Sequence, residues 1–180
     1  MRLFIALDLP ETLRERLQLI CCGLPGARWV PPEQYHLTLH FIGEVDGAEL
    51  RNIRDCLATV ESEPFSLQPE GIGFFPPRKK PHTLWVGVRQ EEQLTCLHNR
   101  IGSALIGIGM ELEKRKFAPH ITLARLKNTP ATGIGGYLQQ HGLLTLPPFR
   151  VDNFRLYSSV LGSRGAKHYV EQEYLLGSAC

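Results

Sequence analysis

Short, β-favouring apolar runs alternate along this chain with longer stretches whose apolar residues recur at helical spacing. Residues 3–8 predict a first strand. After Pro10-Glu11, which suit the first turn of a helix and its positive end, Leu13, Leu17 and Ile20 share one stripe and predict a helix to about Cys22. Gly23, Pro25 and Gly26 break it, and Trp29-Val30-Pro31-Pro32 leads into the alternating run Tyr35 to Gly43, a half-buried strand. Leu50, Ile53, Leu57 and Val60 predict a second amphipathic helix over 46–60. Phe65-Ser66-Leu67 and Gly71 to Phe75 read as extended, the glycines marking a bulge or a close approach by another group.

The same order then recurs. Beyond a basic turn at Arg78-Lys79-Lys80, residues 82–88 predict a strand, and residues 91–106 a helix with Leu94, Leu97, Ile101 and Leu105 inward. Met110 to Lys116 reads as strand or loop before a second alternating strand around His120. Thr129-Pro130 has the form of an N-cap followed by proline at the first helical position, opening a short, glycine-weakened helix to about His141. Residues 149–160 and 168–176 read as strands joined by Gly162-Ser163-Arg164-Gly165 in a hairpin-like connection. Strand, helix, strand, helix, strand thus describes residues 3–75 and again 82–160, consistent with an internal duplication. The expected fold class is α+β: two antiparallel sheets facing one another across a central cleft, helices outside, in a single two-lobed domain over 1–180.

At 180 residues and 43% apolar content the chain can build one substantial core. Its net charge of +2 argues against long nucleic-acid tracts, so an anionic partner has to be met locally. No apolar run reaches the length of a membrane span, and the apolar N-terminal run is too short for a secretory leader. The five cysteines are odd in number and lack Cys-x-x-Cys spacing, which points to reduced thiols and a cytoplasmic location.

Candidate chemistry sits in the two alternating strands. His36-Leu37-Thr38-Leu39 and His120-Ile121-Thr122-Leu123 repeat one pattern 84 positions apart. A single such tetrad carries almost no weight; two arise by chance on the order of once in a thousand such chains. On a strand, residues i and i+2 share a face. His36 with Thr38, and His120 with Thr122, should therefore oppose Leu37, Leu39 and Phe41 on one strand and Ile121 and Leu123 on the other. In-line displacement at phosphorus needs a base near the attacking oxygen and an acid near the leaving one. Two imidazoles supply both near neutrality, and the hydroxyls can donate to the non-bridging oxygens. From the residues alone either ring can take either role. A metal held by His36, His40 and His120 is the nearest competitor, but the motifs lack the acidic ligands usual in hydrolytic two-metal sites. No Gly-x-Ser-x-Gly and no phosphate loop with Lys-Ser/Thr is present.

These tetrads resemble the paired HxTx motifs of the 2H phosphoesterase superfamily, specifically the bacterial and archaeal RNA 2′,3′-cyclic phosphodiesterases also called 2′-5′ RNA ligases. The likeness extends to the opening RLFIALDLP, to GIGFFPPRKKPHTLWVGV and to FRLYSSVLGSRGAKHYV. It implies His36 as proton donor, His120 as proton acceptor, and Thr38, Thr122 and Arg125 on the phosphate, with neither metal nor nucleotide cofactor. Strict alternation would send Arg125 to the wrong face, so a bulge or strand end must intervene. The implied substrates are RNA ends bearing a 2′,3′-cyclic phosphate, tRNA fragments among them, opened to a 2′-phosphomonoester by a monomer that contacts no membrane, with reverse 2′-5′ ligation as the companion activity. Alternatives are a non-catalytic RNA-end binder and a phosphodiesterase of small cyclic nucleotides. His40 is expected at the cleft edge without a catalytic role and Phe41 inward. Phe74, Trp85 and Tyr157 are candidates to stack a base, and Arg164, Lys167 and His168 are expected as a solvated basic patch.

Overall fold

The structure, a computed structural model, describes residues 1–76, 81–113, 115–162 and 165–177. Arg78, Lys79 and Lys80, expected as a basic turn, and Arg164 and Cys180 lie outside the described residues. Among the described residues, ten strands and four α-helices follow in the order β1 (Arg2–Asp8), α1 (Glu11–Ile20), β2 (Ala27–Trp29), β3 (His36–Glu44), α2 (Gly47–Ala58), β4 (Phe65–Leu67), β5 (Pro69–Phe75), β6 (Thr83–Val88), α3 (Glu92–Gly107), β7 (His120–Leu126), α4 (Ala131–His141), β8 (Phe149–Val151), β9 (Asn153–Gly162) and β10 (Gly165–Leu175). The α+β class and antiparallel pairing are as expected.

The large sheet runs β10-β9-β1-β3-β7-β6-β5, with β2 paired to β7, and β4 pairs β8 in a small second sheet. The large sheet has two wings, β10-β9-β1-β3 and β7-β6-β5, and they meet where Leu37 pairs with Ile121. Both residues are fully buried, so this junction belongs to the core. Each wing takes its outermost strands from the other half of the sequence: β9 pairs β1, and β5 pairs β6.

One face of the sheet carries the helices. Leu3, Ile5 and Leu7 of β1 point there with Leu13 and Leu17 of α1, Ile53 and Leu57 of α2, and Leu94, Leu97, Ile101 and Leu105 of α3 in one continuous core. The helical stripes read from sequence are the buried faces. Phe4, Ala6 and Tyr157 form a separate small cluster on the opposite face. α2 opens on a capping box in which the Asp46 carboxylate accepts from the Ala48 and Glu49 amides and Glu49 accepts from the Asp46 amide.

Two local expectations change. Pro130, not Thr129, is the N-cap of α4: its extended ψ of 140° keeps it outside the helix, and Thr129 Oγ1 caps nothing. Pro10 does the same before α1, its carbonyl accepting from Leu13 and Arg14. The segment from Met110 to β7 forms no strand among its described residues. Both roles anticipated for the glycines of β5 occur. Gly71 has φ +72° beside a break in the β5–β6 register, and at Gly73 an added Cβ would lie 2.3 Å from the Trp85 ring.

Because the junction of the wings rests on two fully buried side chains, Leu37→Ala should cost about 2–5 kcal/mol in urea denaturation. Asp46→Ala, which removes only an exposed helix cap, should cost clearly less than Leu37→Ala in the same measurement.

Candidate active site

The Leu37–Ile121 pair fixes what lies around it. Both side chains point into the core, so the residues on either side, His36, Thr38, His120 and Thr122, emerge on the opposite face of the sheet. Continuing that antiparallel register by one residue sets His36 across from Thr122 and Thr38 across from His120. The two histidines then lie on the diagonal, their backbone positions about 7–8 Å apart. The rings are close enough for charge on His120 to lower the pKa of His36. All four side chains are half-buried.

Each tetrad ends in a bulge. On β3, Ala6 pairs with Thr38 and Ile5 with His40, leaving Leu39 as the extra residue; on β7, Trp85 pairs with Thr122 and Leu84 with Ala124, leaving Leu123. The extra residue resets the alternation. It turns the next position towards the helices, where His40 and Ala124 sit, and the following one, Phe41 or Arg125, to the His-Thr face. Arg125 is thereby delivered to that face by the interruption its assignment required. Its guanidinium donates to Thr83 Oγ1 at 2.9 Å, and its charge disfavours the imidazolium of His120.

The rings are held alike. His36 Nδ1–H donates to the carbonyl of Gln34 and His120 Nδ1–H to that of Ala118, each at 2.7 Å and each two residues upstream. With Nδ1 protonated and engaged, Nε2 of each ring is left to accept a proton when neutral or to donate one when charged. Aromatic rings back both. Phe4 lies 5.1 Å from His36 and is itself stacked on Tyr157; Phe75 meets His120 edge-on at 5.0 Å, with Trp85 at 6.2 Å.

Burial is the largest cause of the pKa shift at both histidines, lowering His36 to about 4 and His120 below its ordinary value. Fixed charges distinguish the two. Asp8, paired with His36 across β1 and β3, favours the charged form of His36, whereas Arg125 disfavours that of His120. Asp8 is itself held by Tyr157 Oη–H and the Arg155 guanidinium.

Several expectations are corrected. His40 does not reach the cleft edge: the Leu39 bulge turns it under α3, where its Nε2–H donates to the His98 carbonyl at 2.8 Å and its ring stacks on His98. It therefore cannot join His36 and His120 around a metal, and no group of three or more potential ligands is found among the described residues. Phe41 is not inward; the same bulge leaves it on the His-Thr face, 55% exposed. Of the candidate stacking residues, Tyr157 is buried against Phe4, Phe74 packs on the helix-side core, and Trp85 covers Gly73 beside His120. His168 is not a solvated patch residue. Its ring meets that of His36 edge-on at 5.6 Å, and its Nδ1 is buried without a partner among the described residues. Thr83 and Asp8 are placed by bulges and cross-strand registers that leave no mark in the local sequence.

The model of the family described as LigT like phosphoesterase matches residues 7–85 and again 86–167. A protein of Archaeoglobus fulgidus named RNA 2′,3′-cyclic phosphodiesterase is 33% identical over 168 residues, covering 92% of this chain and 94% of the relative. Among solved structures, TT0787 of Thermus thermophilus superposes with a TM-score of 0.81 at 29% identity, and E. coli LigT complexed with 3′-AMP with 0.79 at 26%; each alignment covers 98% of both chains.

A histidine that folding makes harder to protonate ties stability to pH. The unfolded chain, with imidazoles near pH 6.5, binds protons more readily than the native one, so the stabilisation is present above about pH 6.5 and is lost as pH falls towards 4. Urea denaturation between about pH 4 and 7 should show this decline, and His36→Asn should make it shallower. An unchanged slope in that variant would mean that His36 is not depressed.

Proposed function

This chain belongs to the LigT like phosphoesterase family, and from that premise we propose that it opens 2′,3′-cyclic phosphates at RNA ends to 2′-phosphomonoesters by acid–base catalysis between His36 and His120. The observation that carries the proposal is the matched pair of Nδ1–carbonyl bonds, which leaves two Nε2 atoms on one face of one sheet, across the junction of its wings. The name of the A. fulgidus relative supports the substrate, as does the 3′-AMP bound to E. coli LigT, a nucleotide with its phosphate on the ribose 3′-oxygen.

In this reading the cyclic phosphate lies between the rings. Neutral His120 takes a proton from water as the water oxygen attacks phosphorus, and His36, protonated at Nε2, gives its proton to the departing ribose 3′-oxygen. The 3′-O–P bond breaks, the 2′-O–P bond stays, the proton gained by His120 returns to solvent, and His36 takes up one from solvent before the next turnover. Thr38 and Thr122 donate to the non-bridging oxygens, and Arg125, steadied by Thr83, adds positive charge. Asp8 behind His36 and Arg125 beside His120 act in favour of this division of roles, against the burial and the His168 charge that disfavour a charged His36. In the free protein burial keeps His36 neutral at pH 7; the negative charge of an entering phosphate works against that depression. Reverse ligation is the same path with a ribose 5′-hydroxyl in place of water. The two halves of the chain, each contributing one tetrad, derive on this reading from a duplication, within one two-lobed domain that acts as a monomer on RNA ends such as those of tRNA fragments.

His36→Ala and His120→Ala should each lower kcat/KM on an oligonucleotide ending in a 2′,3′-cyclic phosphate by about 10²–10⁴-fold. Near wild-type turnover in either would end the proposal. Activity is expected to persist in excess chelator. The pH profile of kcat/KM follows the free enzyme, in which the competent form has His36 charged and His120 neutral. That form peaks midway between the two pKa values, and both lie below 6.5, so the profile should be a bell centred on the acidic side of pH 6.5.

A further inference from the structure

Beside the two tetrads, the register of β2 on β7 assembles a feature of which the chemistry above uses only one member, Arg125. Arg28 of β2 pairs directly with Arg125 of β7, between the pairs Ala27–Leu126 and Trp29–Ala124. Directly paired residues of an antiparallel sheet project from the same face, so Arg28 stands on the His-Thr face beside Arg125. Both are exposed, and among the described residues neither makes an ion pair with an acid. Arg125 spends one N–H on Thr83, which is uncharged. Like charges placed directly opposite one another destabilise a sheet. Two guanidiniums in that position form a fork suited to a bidentate, doubly bonded oxyanion.

The position of this pair relative to the tetrads limits what the anion can be. Thr122 and Arg125 pair with Trp85 and Thr83, two residues apart on β6, so the arginines begin about 7 Å beyond Thr122. They lie on the side of the bridge towards His36, because β2 leads through Pro32–Gln34 into β3 at that residue. Arg125 is within reach of the phosphate between the histidines. Arg28, across from it on β2, stands on the same edge of β7 as β3 and upstream of His36, where it faces what lies next to that phosphate.

We infer that Arg28 and Arg125 together form a second phosphate subsite, which takes the phosphodiester on the 5′ side of the terminal nucleotide. The subsite makes the enzyme select the end of an RNA chain over a free nucleoside 2′,3′-cyclic phosphate. The inference rests on the cyclic phosphodiesterase reading and adds to it the residue that recognises the chain. Arg28 makes no contact with the reacting phosphate in this account, so its contribution falls on substrates that possess a second phosphate.

The test compares a nucleoside 2′,3′-cyclic phosphate with a dinucleotide ending in the same group, in wild type, Arg28→Gln and Arg28→Lys. The ratio of kcat/KM for dinucleotide over mononucleotide should fall about tenfold in Arg28→Gln, mainly through KM, and Arg28→Lys should retain most of it. The salt dependence of kcat/KM for the dinucleotide should become shallower in Arg28→Gln, since one charge-to-charge contact is lost. A ratio equal to wild type in Arg28→Gln, or an equal loss on both substrates, would overturn the subsite. Calorimetric binding of a dinucleotide 3′-phosphate to the same three proteins separates this result from the catalytic proposal. If the wild type turns over neither substrate, the catalytic proposal fails, and the subsite then stands or falls on whether that binding weakens in Arg28→Gln relative to a mononucleoside 3′-phosphate.

Discussion

Everything on the His-Thr face depends on one backbone contact, the pairing of Leu37 with Ile121 where the two wings of the sheet meet. Because both side chains are driven into the core, their neighbours on each strand have to emerge on the other side. The hydrophobic effect that closes the core thus also delivers two imidazoles and two hydroxyls to a common surface. The fourth residue of each tetrad completes the arrangement. Leu39 and Leu123 are the extra residues of matching bulges, and each reverses the alternation immediately after the hydroxyl. The motif is therefore a statement about backbone as well as chemistry: three alternating residues followed by a leucine at a kink.

The matching bulges also explain how the site gains its asymmetry. Position for position, the residue carried to the His-Thr face after the bulge is Phe41 on one strand and Arg125 on the other. One ring accordingly has a cation near it, while the other has Asp8 across the β1–β3 pair, held by Tyr157 and Arg155. Two rings with identical Nδ1 hydrogen bonds are thereby given different electrostatic surroundings, which is the condition for one to serve as acid while the other serves as base.

Much of the fold was legible because it follows from periodicity. The stripes Leu13-Leu17, Ile53-Leu57 and Leu94-Leu97-Ile101-Leu105 are the buried faces of their helices. The tetrads were legible because they occur twice. Misplaced residues share one cause: alternation was carried through positions at which the strand is interrupted. His40 and Phe41 exchange faces at the Leu39 bulge, and Arg125 reaches the site only through the Leu123 bulge. Nothing in a Leu beside other apolar residues announces that it is an extra residue in a ladder, since the register depends on a partner strand distant in sequence. His168 was hidden for the same reason. Its neighbour His36 lies 132 positions away, and the contact crosses β9 and β1.

The central claim is that both Nε2 atoms address a single phosphate while both Nδ1 atoms remain tied to backbone carbonyls. Nitrogen-15 NMR of the histidine side chains during titration with a nucleoside 3′-phosphate tests it directly. The account predicts that Nε2 of His36 and of His120 both respond at the same ligand concentration while their Nδ1 signals stay those of a protonated, hydrogen-bonded nitrogen. A response confined to one ring, or a change of tautomer in either, would contradict it.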